Sequence, residues 1–473
     1  MKNLVLIPFA FQALGSLTIV TCGPHVQVYT SVLGTRSPAQ ILKSFGYMVA
    51  ISVALLALAG CSENKEKLKG IREPFIIVGN ALKPDAALAA MEVSVPSAQD
   101  LKNWNHVGGN PSHLVPPVMV GKDLKKAWAH EIGEGADTYH RLITHPVVNN
   151  GLIYTMDIQG VVQARKIDDG TLVWDLATSP EEGHSNTMGG GFAAVDDVLF
   201  ITTSFGEVIC VEAKSGKNIW TQELETPIRA APTVFAGRVF VVTVNNEIFA
   251  LDAKTGEELW DYAGIVEPSS LLGGSAPAAS SQAIIIALTS GEIYSLSPEG
   301  GRLLWSDTMT PALRIDTVSS IAHIRARPII EEGTAYLASH GGRIGSYDIL
   351  TGKKNWTSEI GALRTPALSG NFIFLITTND DLVCMLKSTG QVRWAVPLPR
   401  KRESDDVITW AGPIVVNNQL VLVSTSGQMA LVNVADGKID KTIELESPCQ
   451  LSPIAAEKTV FILTDSGTLQ AWR

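Results

Sequence analysis

Ten residues separate Asn246 from Gly256 in VVTVNNEIFALDAKTGEELW, and four more lead to Trp260. The same ten-then-four interval joins Gly160, Gly170 and Trp174, then Gly206, Gly216 and Trp220, then Gly291, Gly301 and Trp305. It continues through Gly342, Gly352 and Trp356 and through Asp380, Gly390 and Trp394. A further copy has Gly427 and Gly437 with Lys441 in the tryptophan position, and another starts at Gly467 and runs to Trp472-Arg473. An interval kept through so many copies describes one supersecondary unit stacked on itself.

Each fixed position has a physical reason. Gly, Asn and Asp tolerate the positive φ that tight turns require, so the first position turns one strand into the next and the glycine of KTG, KSG or DDG does so again. Segments such as RVFVVTV and EIFAL are apolar on both faces, as a sheet packed between two others must be. The tryptophan falls on the fourth strand, large enough to cement one sheet to its neighbour. No repeat carries a helical period, which excludes helical solenoids. Four short antiparallel strands in roughly 38–51 residues describe a propeller blade.

The last copy, SPIAAEKTVFILTDSGTLQAWR, holds three strands. Its fourth is expected in LKKAWAHEIGEG (124–135), with Trp128 in the cementing position. Joining first and last strands in one blade removes the open sheet edge. The expected fold is therefore all-β: an eight-bladed propeller of four-stranded antiparallel blades over residues 124–473, closed by pairing the N- and C-terminal strands in the last blade.

Ahead of the repeats lies MVAISVALLALAGC, Met48 to Cys61. This apolar run is too short for a bilayer, which takes about 20 residues, and fits the core of a secretory signal. Leu58-Ala59-Gly60-Cys61 resembles a bacterial lipobox, which implies lipidation of Cys61 and a mature chain starting there. Ser62 in the next position implies sorting to the outer membrane. Several acyl chains would hold such a protein firmly where one would not. Residues 1–60 thus read as a signal region. MKNLVLIPFAFQALGSLTIVTC is signal-like too, and the better signal behind it leads to the expectation that translation starts near Leu42, with 1–41 a mis-assigned start. Residues 61–123 read as a tether and N-terminal extension: charged in SENKEKLKG and proline-rich in PSHLVPPVMVG, with NWNHVGGNPSH folding back through Trp104.

Charge and cysteine usage narrow the function classes. Residues 1–60 contain three basic and no acidic residues, so 34 basic face 47 acidic residues from Cys61 onward, a balance of −13. An acidic body without a Lys/Arg-rich face argues against nucleic acid as the partner. Cys22, Cys61, Cys210, Cys384 and Cys449 form no CxxC, and the nine histidines form no HxH or HExxH. No metal site is expected, and Cys210, Cys384 and Cys449 read as buried, unpaired thiols.

The blade pattern, Gly/Asn-x-hydrophobic-x-Ala-hydrophobic-Asp-x-x-Thr-Gly-x-x-x-Trp, resembles that of PQQ-like propellers over roughly residues 100–473. With the lipobox and LLGGSAP (271–277), it resembles the BamB family of outer-membrane β-barrel assembly lipoproteins. The resemblance implies a non-catalytic scaffold, lipid-anchored at the periplasmic face of the outer membrane. Such a scaffold binds the barrel subunit BamA, and other components of the machinery, through loops at one end of the ring. It implies no cofactor, no catalytic residues and no small-molecule substrate.

Blade topology puts the first-position turns and the connectors that follow each tryptophan strand at one end, and the TG turns at the other. Four connectors are irregular: SPEEGHSNTMGGG (179–191), IVEPSSLLGGSAP (265–277), SDTMTPALRIDTVSSIAHIRARP (306–328) and PLPRKRESDDVITWAGP (397–413). Loops on a rigid scaffold are the usual carriers of binding. In the family the connector matching 265–277 contributes a leucine-rich stretch with an arginine. Here Ser269 and Leu271 fill the leucine positions and Leu272 stands where the arginine would be. The next family connector supplies carboxylates, and this chain has His323 and Arg325 there, which reverses the polarity. The resemblance thus points to Ser270, Leu271, Leu272, Gly273, His323 and Arg325 as partner-binding residues.

Read from the residues alone, Leu271 and Leu272 serve equally well as a plug packed against a blade top. Arg325 and Arg327 read as solvated or ion-paired within the propeller, and PRKRESDD as a self-compensating loop. The glycines 189–191 read as backbone needing room at the axis. Two rival functions share the fold. A quinoprotein dehydrogenase would bring vicinal cysteines and clustered carboxylates, whereas Glu181, Glu182, Asp307 and Asp316 are scattered. A generic periplasmic interaction scaffold is the other.

Overall fold

The computed structural model describes residues 7–11, 14–22, 25–30, 82–179, 188–267, 272–309, 323–400 and 407–473. The chain divides into two compact units, residues 1–78 and 79–473. In the first, Ile7–Phe11, Leu14–Cys22 and His25–Thr30 form a three-stranded antiparallel sheet in chain order. The apolar run ending at Cys61, and the tether up to residue 81, lie outside the described residues.

In the second unit the described residues form eight four-stranded antiparallel sheets, seven of them in chain order from the inner strand outward and the eighth with its outer strand taken from ahead of the first blade. Blade 1 comprises Val147–Asn149, Leu152–Met156, Val161–Lys166 and Leu172–Ala177. Blades 2 to 7 follow within 191–223, 233–263, 278–308, 329–358, 367–397 and 410–444. Blade 8 takes Ile454–Ala456, Thr459–Leu463 and Thr468–Trp472 from the C-terminal end and Lys126–Glu131 from the other. Ala471 pairs with Trp128 and Trp472 with Lys126, so the two ends of the propeller zip in one sheet. One apolar core runs through blades 7, 8 and 1 and closes the ring.

Sequence position decides burial. Second strands such as Phe372–Ile376 are buried throughout, while fourth strands such as Asn218–Glu223 alternate between exposed and half-buried. Both turn positions of the repeat take the left-handed backbone the residue types predict. The first runs from φ +55° at Asp380 to +101° at Gly342, and the TG glycines run from +64° to +79°.

The interval between turn and tryptophan has a second reason that a single repeat does not reveal. Each tryptophan reaches into the next blade and lies on that blade's TG turn. A Cβ on Gly216, Gly256, Gly301, Gly352, Gly390 or Gly437 would stand 2.4–2.8 Å from the neighbouring indole. The indole N–H then donates to a carbonyl beside that turn: Trp128 to Ile167, Trp174 to Ala213, Trp305 to Ile349 and Trp394 to Val434, at 2.8–3.1 Å. Trp220, Trp260 and Trp356 repeat the arrangement. The exception at Lys441 follows from the same geometry. Its receiving turn would join the third and fourth strands of blade 8, where the chain is interrupted between Arg473 and Lys126. Among the described residues no turn joins those two strands to receive a tryptophan.

The extension differs from the expected tether. Residues 82–123 belong to the packed unit: Leu88, Val93, Trp104, His106, His113, Val118 and Val120 are all buried. Trp104 exchanges both backbone hydrogen bonds with Val148 of blade 1 at 2.8 Å, and the Ala194 N–H of blade 2 donates to Asn105 O. Ala279 of blade 4 donates to Pro111 O, Ile330 of blade 5 to Ser112 O, and Val118 donates to Val415 O of blade 7. The Val234 N–H of blade 3 donates to His106 Nε2 at 3.1 Å. The reason is the inner edge of every blade, a row of unpaired backbone groups around the axis that something must satisfy. The segment has no hydrophobic period because it runs as an irregular strand around that edge.

Cys210, Cys384 and Cys449 are buried free thiols. Burial pushes the Cys210 thiol up to about 12 and the other two higher still.

Candidate partner-binding site at the connector end

Of the six residues singled out, Ser270 and Leu271 lie outside the described residues, as does Ser269. So do 180–187, 310–322 and 401–406 in the other connectors. The connector 265–277 is described on both flanks, and the flanks differ in character.

Its outgoing flank leaves blade 3 along solvent. Asn246, at φ +63° in the first turn position, donates from its side-chain amide to Ile265 O at 2.6 Å. The Ile265 N–H donates to a Glu292 carboxylate oxygen at 3.0 Å. This fastens the backbone while the side chains of Ile265 and Val266 stand 59% and 60% exposed. Large aliphatic side chains held in water by a fastened backbone are the apolar surface a partner would cover. Neither was singled out from sequence, although both begin the quoted connector; the signal was an Ile-Val pair outside any strand.

The returning flank is buried between blades. Leu272 is half-buried and Gly273 buried. Gly273 has φ +94°, and a Cβ there would stand 3.2 Å from Arg325 Nε, so the guanidinium lies across this turn. A Cβ on Gly274 would stand 3.0 Å from Ala230 Cβ, and Ser275 Oγ donates to Ala326 O at 3.3 Å. These contacts bind the loop's end to blades 3 and 5 at once.

His323 and Arg325 come to this flank but turn inward. His323 is fully buried. Burial, then Arg325 and His340, hold its imidazole down at about 4, so it is neutral. Burial also lowers the Arg325 guanidinium. The structure therefore brings Leu272, Gly273, His323 and Arg325 to one place, with the two polar residues beneath the loop rather than on the outer surface. Among the described residues no group of three or more His, Cys, Asp or Glu side chains is arranged to hold a metal ion.

Comparison with known proteins agrees with this architecture. A family model described as outer membrane protein assembly factor BamB matches residues 158–396 and 382–473. The chain belongs to the BamB family.

BamB of Salmonella typhimurium is 26% identical over 351 residues, covering 73% of this chain and 87% of that protein. BamB of Escherichia coli K12 is 25% identical over 350 residues, covering 72% and 87%. The crystal structure of BamB from Moraxella catarrhalis superimposes with a TM-score of 0.64 at 18% identity, over 74% of this chain and all of that one. A quinohemoprotein alcohol dehydrogenase from Comamonas testosteroni reaches a TM-score of 0.62 at 14% identity, over 83% and 82%. At such identities the two structures speak for the shared ring alone. The family assignment comes from the sequence matches.

Proposed function

We propose that this BamB-family protein is a non-catalytic docking scaffold of the outer-membrane protein assembly machinery. It works at the periplasmic face of the outer membrane, anchored through lipid on Cys61. It binds a BamA-like barrel subunit through the connector end of the ring. Ser270, Leu271 and Leu272 supply the contact together with Ile265 and Val266. Gly273, His323 and Arg325 hold the returning flank in place.

The observation that carries this reading is the pairing of a fastened backbone with exposed aliphatic side chains at Ile265 and Val266. An apolar anchor presented by a rigid frame binds without a large ordering cost, and a few such residues carry most of an interface's affinity.

The test is in-cell photocrosslinking from position 266 or 271, followed by identification of the captured protein. Capture of the barrel subunit from these positions, and not from the TG-turn end at position 254, is the expected result. A V266E/L271E/L272E variant is expected to lose co-purification of that subunit by tenfold or more while keeping its melting temperature. Unchanged co-purification would remove the loop from the interface.

A further inference from the structure

The axis of the ring holds a cluster of which the docking reading uses only Arg325. Arg229, Arg325, Arg327 and Arg364 line one open recess with His145 and Ser452. Each arginine sits a few residues ahead of an inner strand: Arg229 before blade 3, Arg325 and Arg327 before blade 5, Arg364 before blade 6. Side chains from three separate blades therefore converge on the axis at the connector end. In blades 2 and 4 the equivalent lining is backbone, Gly190-Gly191 and Gly273-Gly274. A Cβ at Gly190 would meet Thr202 O at 2.0 Å and one at Gly191 would meet Ala231 Cβ at 2.5 Å.

The recess has a floor. The cavity below it is lined by Trp104, Val107, Gly108, His113 and Val118 of the extension, and shares His145 and Arg327 with the recess. The folded-back segment thus turns a channel into a cup with guanidinium walls.

The charge in this cup has no directly paired counterpart among the described residues. None of the four arginines has a carboxylate within ion-pair distance there. Asp380 and Asp465 act on Arg364 from further off. Arg327 Nε is buried with no hydrogen-bond partner. Burial and repulsion from Arg325 bring Arg327 and Arg364 down to about 10, where they remain charged at neutral pH. His145, pushed far down by burial and by Arg327, Arg325 and Arg364, adds no charge and presents a neutral ring. Half-buried like charges without ion-pair partners repel one another, and forked N–H donors converging from several directions match an oxyanion.

We propose that the axial cup binds a small multivalent oxyanion, a phosphate or a di- or tricarboxylate, through Arg229, Arg325, Arg327 and Arg364. The ligand is an effector or structural ion, held by charge on the four guanidinium groups.

The experiment titrates the full mature chain with inorganic phosphate and, separately, citrate, against sodium chloride at matched ionic strength. Melting temperature and calorimetric heat are the readouts. The expected result is a saturable rise in melting temperature with phosphate or citrate and none with chloride. R327Q and R364Q are expected to weaken binding at least tenfold. Their anion-free melting temperatures should be no lower than that of the parent, because repulsion is relieved. R302Q, at an exposed arginine outside the cup, should bind as the parent does. Should R327Q misfold, R327K keeps the charge without the fork and should still weaken binding.

Two outcomes overturn the proposal. One is equal stabilisation by chloride at matched ionic strength. The other is a parent chain that ignores both anions while an E181Q/E182Q/D316N variant responds, which would assign the cup's counter-charge to the connectors themselves.

Discussion

The contact between Trp305 and the Gly352 turn allows the inter-blade lock to be measured. Trp305 is 8% exposed and donates to Ile349 O at 2.8 Å. Its ring stacks on Tyr347 with centroids 5.9 Å apart and an interplanar angle of 12°. Gly352 has φ +71°, and a Cβ there would stand 2.8 Å from two indole carbons. G352A should therefore cost about 1–2 kcal/mol for the left-handed backbone and about 1–3 kcal/mol for overpacking against the ring. W305A alone should cost about 3–5 kcal/mol through lost burial and the cavity left behind. With the ring gone the overpacking has no partner, so G352A in the W305A background should cost the backbone contribution alone. The double-mutant cycle should then show coupling of about 1–3 kcal/mol, beyond the roughly 0.5 kcal/mol scatter of independent sites. Urea unfolding followed by far-UV circular dichroism gives the four stabilities, provided the dependence on urea is alike in all four. Additivity, or a neutral G352A in the parent, would refute the account of why the turn must be glycine.

Other expectations follow from the same structure. K441W should leave stability within about 0.5 kcal/mol of the parent, because no receiving turn exists in blade 8; a clear gain in urea midpoint would show that one does. V118D places a charge at a position 1% exposed in the extension and should cost about 3 kcal/mol or more, whereas a tether would tolerate it; thermal denaturation decides. His106 takes an N–H bond from Val234 on Nε2, and burial holds it down at about 4 against an ordinary 6.5. His113, buried beside Arg327, is held down at about 3. Because the folded values lie below the unfolded ones, the stability from the neutral rings is complete above pH 6.5 and is lost as pH falls toward 4. The slope is about 1.4 kcal/mol per pH unit for each histidine. An H106N chain, compared with the parent by urea unfolding at pH 7, 6 and 5, should lose one histidine's share of that slope. An unchanged slope would show that His106 is not held neutral.

The architecture was legible because its determinants are local and repeated. Left-handed turn positions favour Gly, Asn or Asp, so Asn246 and Asp380 stand in for glycine without breaking the interval. The shared last blade was legible from Trp128, which carries the repeat's signature ahead of the first copy. The extension was legible only at NWNHVGGNPSH, expected to fold back through Trp104 and found paired with Val148; the rest was not, since satisfying the inner edges of other blades requires backbone rather than any particular residue type. The candidate interface was half legible: the connector could be picked out, but not that Ile265 and Val266 point outward while His323 is fully buried. The direction of a side chain in an irregular loop depends on what packs beneath it.

Sequence by itself determined the blade, the number of blades and the closure, because turn conformation and two-faced burial are properties of short segments. Tertiary structure alone decided that each tryptophan needs the next blade's glycine, and that Lys441 marks the one junction lacking a receiving turn. It also decided that four arginines from three separate segments of the chain share one recess. Those facts depend on distances across blades, and a ring brings together at its axis what the chain keeps apart.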